Sequence, residues 1–303
     1  MLHSTNPSAR LILLAVCLGC SCPLPSRAAD DIVVEQDIVY GKGGDVDLQL
    51  DLARPQDGNG PFPAIVFIHG GGWVGGDRQS FRSKIEDAAR RGYVAVTITY
   101  RLAQPDPDTE LGKVPFPAQI QDCKCAVRWI RFVAEKYRID PDRIGVAGAS
   151  AGGHLSLLVG LAEETAGLEG AGGHAEHSSR VRAVVNLFGP TDLTRAYEDV
   201  PEARRFAKAL CRGTPDDVPE TYKAASPVTY VSKDDPPVLT LHGEKDKLVL
   251  PSQAKLLHET MKEVGARHEL VILEGQGHGF SGDAAKRAED ALWTFFEREL
   301  KSK

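Results

Sequence analysis

Gly148-Ala149-Ser150-Ala151-Gly152 is the stretch on which the reading of this chain turns. It is a G-x-S-x-G pentapeptide. Arg143-Ile144-Gly145-Val146-Ala147 before it reads as a short apolar strand, and His154-Leu155-Ser156-Leu157-Leu158-Val159 after it reads as the start of a helix. A serine on so sharp a strand-to-helix turn takes a strained backbone conformation and presents its hydroxyl at the end of a sheet. Glycines flank it because the turn brings backbone too close for side chains. The free N–H groups of the helix start lie beside the hydroxyl. Small residues around a serine are common in loops, so the pentapeptide needs support from elsewhere in the chain.

Three other stretches give it. His69-Gly70-Gly71-Gly72-Trp73 follows Pro63-Ala64-Ile65-Val66-Phe67-Ile68, which reads as a fully buried strand. Three glycines after a strand expose N–H groups that can approach a ligand oxygen. The N–H groups of Gly71, Gly72 and Ala151 are therefore candidates for an oxyanion hole. Val238-Leu239-Thr240-Leu241 runs into His242-Gly243-Glu244-Lys245-Asp246, placing an acid in a loop after a strand. His268-Glu269-Leu270-Val271-Ile272-Leu273 leads to Gly275-Gln276-Gly277-His278-Gly279-Phe280, placing a histidine between glycines after another. The order is Ser150, Asp246, His278, each just beyond a predicted strand, and that is the chain order of the α/β-hydrolase triad.

The pattern around these motifs predicts the architecture. Ile32–Val39 and Val46–Ala53 read as an opening antiparallel pair. Strands then fall near 63–68, 93–99, 143–148, 181–188, 237–242 and 268–273. Helices fall near 79–91, 117–136, 151–164, 251–265 and 283–300. Such alternation implies a mostly parallel sheet with helices on both faces, whose ligands bind at the carboxyl ends of the strands. The stretch Pro190 to Ser232 lies between two core strands and is expected to form a small lid or extra helices over the site. With one modest insertion and no room for an N-terminal helical cap, the cleft is expected to be fairly open.

Further motifs sharpen the picture: Tyr100-Arg101-Leu102, Phe116-Pro117-Ala118-Gln119-Ile120-Gln121-Asp122, Ile139-Asp140-Pro141-Asp142-Arg143-Ile144 and Gly189-Pro190-Thr191-Asp192-Leu193. With these the chain, from about Val39 to Leu300, resembles the α/β-hydrolase carboxylesterases of the hormone-sensitive-lipase-like and feruloyl-esterase-like (BD-FAE) branch. The resemblance implies Ser150 as nucleophile, Asp246 as triad acid, His278 as general base, and Gly71, Gly72 and Ala151 as oxyanion-hole donors. It implies no cofactor and no metal. The acid follows His242-Gly243 rather than lying in an Asp-Pro-Leu-type motif, which favours the feruloyl-esterase-like branch. The expected activity is hydrolysis of acetyl, feruloyl or other short or aryl esters, on a small molecule or a plant-wall polysaccharide. The alternatives are a prolyl-oligopeptidase-type exopeptidase and a hydrolase-fold binding module without chemistry. Against the first stands Ala151, where those enzymes usually carry an aromatic residue; against the second stands the complete triad.

Other residues take simpler readings. Trp73 and Phe280 are candidates for lining the substrate pocket. His69 is expected to orient the glycine loop, His242 to be structural, His154 to pack at its helix start and Asp192 to cap a helix or turn. His174, Glu176 and His177 read as a solvated loop rather than a metal site.

Composition bounds the rest. The chain has 303 residues, 42% hydrophobic and 26% charged, with formal net charge −6. That suits one large domain, expected over residues 30–303, and disfavours nucleic acid as a partner. Arg90-Arg91 and Arg204-Arg205 are expected on solvated helix faces. Residues 1–28 read as a signal peptide: Arg10, an apolar run from Leu11 to Leu18 too short to span a membrane, and Ser26-Arg27-Ala28 as a cleavage site. Leu18-Gly19-Cys20 is a partial lipobox, which leaves open a lipid-anchored form besides periplasmic or secreted export. Outside that segment stand Cys123, Cys125 and Cys211. One of the first two can bridge to Cys211, or all three can be buried free thiols.

Overall fold

The computed structural model describes residues 1–3 and 31–302, so the expected signal peptide from residue 4 on, with its expected cleavage site and the partial lipobox, lies outside the described residues. One eight-stranded sheet organises the rest, in the order β1-β2-β4-β3-β5-β6-β7-β8. The strands are β1 (Ile32–Gly43), β2 (Val46–Pro55), β3 (Phe62–Ile68), β4 (Val94–Ile98), β5 (Ile139–Ala149), β6 (Ala183–Leu187), β7 (Val238–Gly243) and β8 (His268–Leu273). β1 pairs antiparallel with β2, and β2 with β4; every other pairing is parallel. This is the α/β-hydrolase fold.

Strand β3 shows why both faces must be covered. Ala64, Val66 and Ile68 enter one apolar cluster, and Ile65 and Phe67 enter the other, as the two-residue period of a strand requires. Helices α2 (Ala118–Phe132), α4 (Ala151–Leu161) and α8 (Pro251–Val264) supply the first cluster through Ile120, Leu155 and Leu257. Helices α1 (Arg82–Arg90) and α9 (Gly282–Phe296) supply the second through Ile85, Leu292 and Phe296. A strand buried on both faces reads as a continuous apolar run, which is how β3 looks in sequence.

Element ends differ from the sequence pattern where backbone geometry intervenes. The helix expected over 79–91 opens as a 3-10 turn, Arg78–Phe81, before α1. The one expected over 117–136 breaks at Val133, giving α2 and the one-turn α3 (Ala134–Tyr137). β5 starts at Ile139, earlier than expected, because Ile139 pairs with Phe62 before a register shift brings Ile144 opposite Ala64. The segment from Pro190 to Ser232 forms three short helices, α5 (Leu193–Asp199), α6 (Arg204–Cys211) and α7 (Pro219–Ala224). Asp192 caps α5 by accepting from the Arg195 N–H at 3.0 Å.

No disulfide joins Cys123 or Cys125 to Cys211: all three are buried free thiols. Burial pushes each thiol up, so they sit in the interior as small neutral hydrophobes. Among the described residues no helix is long and apolar enough to cross a membrane.

Candidate active site

The chain leaves β3 to form β4 on one side and later returns to form β5 on the other. The crevice outside the carboxyl ends of β3 and β5 is thus the switch point of the sheet. The glycine loop leaves β3 there and Ser150 leaves β5 there. Ser150 sits at φ 54° and ψ −119°, the strained elbow its sequence predicts. Its N–H donates to Leu187 O at 2.8 Å. The flanking glycines are sterically required: a Cβ on Gly152 would fall 2.0 Å from Ile68 O, and one on Gly148 would fall 2.3 Å from Gly152 O.

The three expected triad residues meet. His278 Nε2 lies 2.9 Å from Ser150 Oγ, and His278 Nδ1 lies 2.8 Å from Asp246 Oδ2. In the neutral imidazole the Nδ1–H donates to the carboxylate, leaving Nε2 to accept from the serine hydroxyl. Asp246 is buried, and its other oxygen accepts from the N–H groups of Leu248 and Val249, both at 2.9 Å. Burial alone would raise its carboxyl. Hydrogen bonds from His242, His278 and Val249 outweigh that and hold it well below the usual carboxylate range. The site therefore carries a fixed negative charge behind the histidine.

His242 is closer to the chemistry than its sequence position suggests. Its Nε2–H donates to Val249 O at 2.7 Å and lies 3.4 Å from Asp246 Oδ2. It ties the strand end to the two residues that follow the acid. His69 does the same for the glycine loop: Nδ1 bonds Gly70 O at 2.7 Å, and the ring stacks on Tyr100 at 4.3 Å. Tyr100 in turn donates to His69 O, and Arg101 beside it makes a two-pronged pair with buried Asp122. Two of the family-like motifs thus brace the loop from behind. Among the described residues, no carbonyl or side chain accepts from the N–H groups of Gly71, Gly72 or Ala151. These three donors remain available to a substrate oxygen.

His154 joins the loop to the insertion. It is fully buried; Trp73 Nε1 donates to its Nδ1 at 3.2 Å, and its Nε2–H donates to Ala225 O at 2.7 Å. Burial lowers its pKa to about 4, so the ring is neutral and both nitrogens are engaged.

Over Ser150 lies a cavity of about 380 Å³. Gly71, Gly72, Trp73, Ser150, Ala151 and His278 form its floor. Leu193, Ala196, Ala203, Phe206 and Ala207 from α5, α6 and the turn between them form an apolar roof, with Phe188, Leu248 and Val249 at the side. The insertion therefore supplies one wall of the cleft, as the small lid expected over the site. Trp73 lines the cavity as expected. Phe280 does not: its ring packs edge-on against Phe188 at 5.1 Å, and Phe188, 4.8 Å from the His278 ring, is the aromatic that faces the cavity. Sequence reasoning missed Phe188, although it follows β6 just as Ser150 follows β5. His174 also takes a packing role, against Phe132 at 4.4 Å, with its Nε2 3.2 Å from Tyr40 O.

The comparisons with known proteins agree with this geometry. A family profile described as BD-FAE matches residues 50–261. The chain belongs to the BD-FAE family. It is 34% identical over 249 residues to the Mycobacterium tuberculosis protein named Esterase LipC, covering 78% of this chain and 58% of that one. It spans little more than half the length of the curated relatives it matches first. Among solved structures, it is similar to a truncated form of a carbohydrate esterase from gut microbiota, with a TM-score of 0.74 and 28% identity. That match covers 91% of this chain and 99% of the other. It is also similar to the propionate-bound esterase Est2 of Thermogutta terrifontis, with a TM-score of 0.73 and 31% identity. There the coverage is 90% of this chain and 97% of the other. The BD-FAE match spans Ser150 and Asp246 and ends before His278, which the fold itself delivers to them.

Proposed function

We propose that this BD-FAE protein is a serine carboxylic-ester hydrolase that works through an acyl-enzyme. The observation that carries the reading is the unbroken chain Asp246–His278–Ser150, at 2.8 and 2.9 Å, facing three unengaged N–H groups. His278 takes the proton from Ser150 Oγ as the oxygen attacks the ester carbonyl. Asp246 holds the imidazole tautomer and stabilises the imidazolium. The carbonyl oxygen, now negative, accepts from Gly71, Gly72 and Ala151; a donor of this kind is worth about 2.7–4 kcal/mol of barrier. The C–O bond to the alcohol then breaks, and His278 Nε2–H protonates the departing oxygen. Water, deprotonated by His278, attacks the acyl-serine and releases the acid.

The substrate class follows from the cavity and the relatives. An apolar space of about 380 Å³ suits a short aliphatic or aryl acyl group. The BD-FAE match and the likeness to a carbohydrate esterase from gut microbiota support an acyl group carried on plant-wall polysaccharide. Residues 1–28 support export, where such a substrate would be met.

The test is hydrolysis of acetylated xylan, methyl ferulate and short p-nitrophenyl esters, side by side with Ser150→Ala. Preference for a wall-derived ester, abolished in the variant, is the expected result. Activity on small activated esters alone would remove the polysaccharide. Turnover that survives in Ser150→Ala would remove the mechanism.

A further inference from the structure

Phe206 on α6 belongs to two cavities. It lines the space over Ser150, and it lines a second cavity of about 300 Å³ on its far side, together with Val74, Pro105, Asp106, Pro107, Glu110 and Arg205. The ring lies directly on the glycine loop: a Cβ built on Gly72 would fall 2.5 Å from Phe206 Cδ1. On the ring sits the Arg205 guanidinium, 4.5 Å from the ring centroid, itself part of the second cavity's wall. The two cavities share no other lining residue; Trp73 faces one and Val74 the other. A half-buried phenyl ring between a glycine and a guanidinium is therefore the partition between them.

We propose that Phe206 sets the length of the acyl group this site accepts, by closing the acyl end of the first cavity. The inference rests on the ester-hydrolase reading and adds to it the residue that determines acyl specificity. The direction follows from the tetrahedral intermediate. Its oxyanion points to the N–H groups of Gly71, Gly72 and Ala151, and its leaving oxygen stays within reach of His278 Nε2. His278 lines the first cavity and not the second. The alcohol thus departs on the His278 side, and the remaining substituent, the acyl chain, runs under the roof of Leu193, Ala196 and Ala207 to Phe206. Beyond the ring, Val74, Pro105 and Pro107 offer apolar surface, with Asp106, Glu110 and Arg205 beside them. Removing the ring joins the two spaces and admits a medium-chain acyl group. Enlarging it shortens the first space.

The experiment compares the wild-type enzyme with Phe206→Ala, Phe206→Leu and Phe206→Trp on two substrate series. One is p-nitrophenyl acetate to decanoate, with the alcohol constant; the other is acetates of methanol to octanol, with the acyl group constant. In Phe206→Ala the ratio of kcat/KM for octanoate to that for acetate should rise by about tenfold or more, the least that one added methylene gains in an apolar pocket. In Phe206→Trp the same ratio should fall, and the alcohol series should keep its wild-type order in every variant. Phe206→Leu retains an apolar contact on Gly72 and should move the ratio in the same direction as Ala, so the reading is tested even if the alanine variant fails to fold. Unchanged acyl ratios in active variants, or a shift confined to the alcohol series, would overturn the role of Phe206 while leaving the hydrolase intact. A wild-type enzyme that turns over neither series would remove the ester-hydrolase reading, and this one with it.

Discussion

The floor and the roof of the cavity are built on different terms. The floor consists of turns that leave β3, β5, β7 and β8, and backbone contact fixes them: Gly152 against Ile68 O, Gly148 against Gly152 O. The roof consists of short helices in one insertion, held by side-chain packing and by caps such as Asp192. A turn fixed by backbone tolerates almost no substitution, whereas a packed helix tolerates many. The proposed chemistry therefore sits on the part that cannot vary and the proposed substrate fit on the part that can. His154 is where the two meet, accepting a hydrogen bond from Trp73 in the floor and donating one to Ala225 O at the end of α7.

Several substitutions would break that contrast, or sharpen it. The largest effect belongs to Ser150→Ala, which should leave the fold intact and lower kcat by up to roughly 10⁶-fold, read by ester turnover at unchanged thermal stability. Near-normal turnover would mean that the floor does not hold the nucleophile. Next is Gly152→Ala, whose added methyl would press on Ile68 O and His69 O. Backbone on both sides leaves it little room to relax, so a loss of about 3 kcal/mol or outright misfolding is expected in urea titration. A variant as stable as the wild type would show the floor to be adjustable after all.

The joint between floor and roof should reveal itself in pH. His154 has its pKa lowered to about 4 in the folded state, against about 6.5 unfolded. Between these values the unfolded chain binds the extra proton, so stability is lost as pH falls from about 6.5 towards 4 and is level below that. The whole loss comes to about 3 kcal/mol. His154→Gln cannot titrate. The stability gap between wild type and variant should therefore narrow by that amount from pH 7 to pH 4, and a constant gap would contradict the buried neutral ring. The smallest effect is expected in the roof. Asp192→Ala removes the cap of α5 and should cost about 1 kcal/mol, a fall in Tm of roughly 2–4 °C. Because α5 carries Leu193 and Ala196, KM should shift more than kcat; equal changes in both would place the roof in the chemistry.

The same division explains what could be read in the chain. Ser150, His278 and Asp246 were legible because each stands just beyond an apolar strand and among glycines, and strand periodicity and turn chemistry are local signals. The sequence also pointed to Gly71, Gly72 and Ala151, which line the cavity beside Ser150. Phe280 was misplaced because two aromatics, one seven residues after the end of β8 and one just after β6, compete for one wall, and only packing chose Phe188. The cysteines were undecided because pairing depends on distances that spacing does not contain.

The sequence by itself determined the sheet, the strand-end turns and the identity of the residues that meet on them. Backbone geometry restricts those turns to a few residue types, and that restriction is written locally. Only the tertiary structure decided that His242 stands beside Asp246, that His154 links the loop to the insertion, and that Phe206 divides two cavities. The first depends on how the loop after β7 folds back on itself, and the others are contacts between segments far apart in the chain; packing settles all three, and no local pattern corresponds to them.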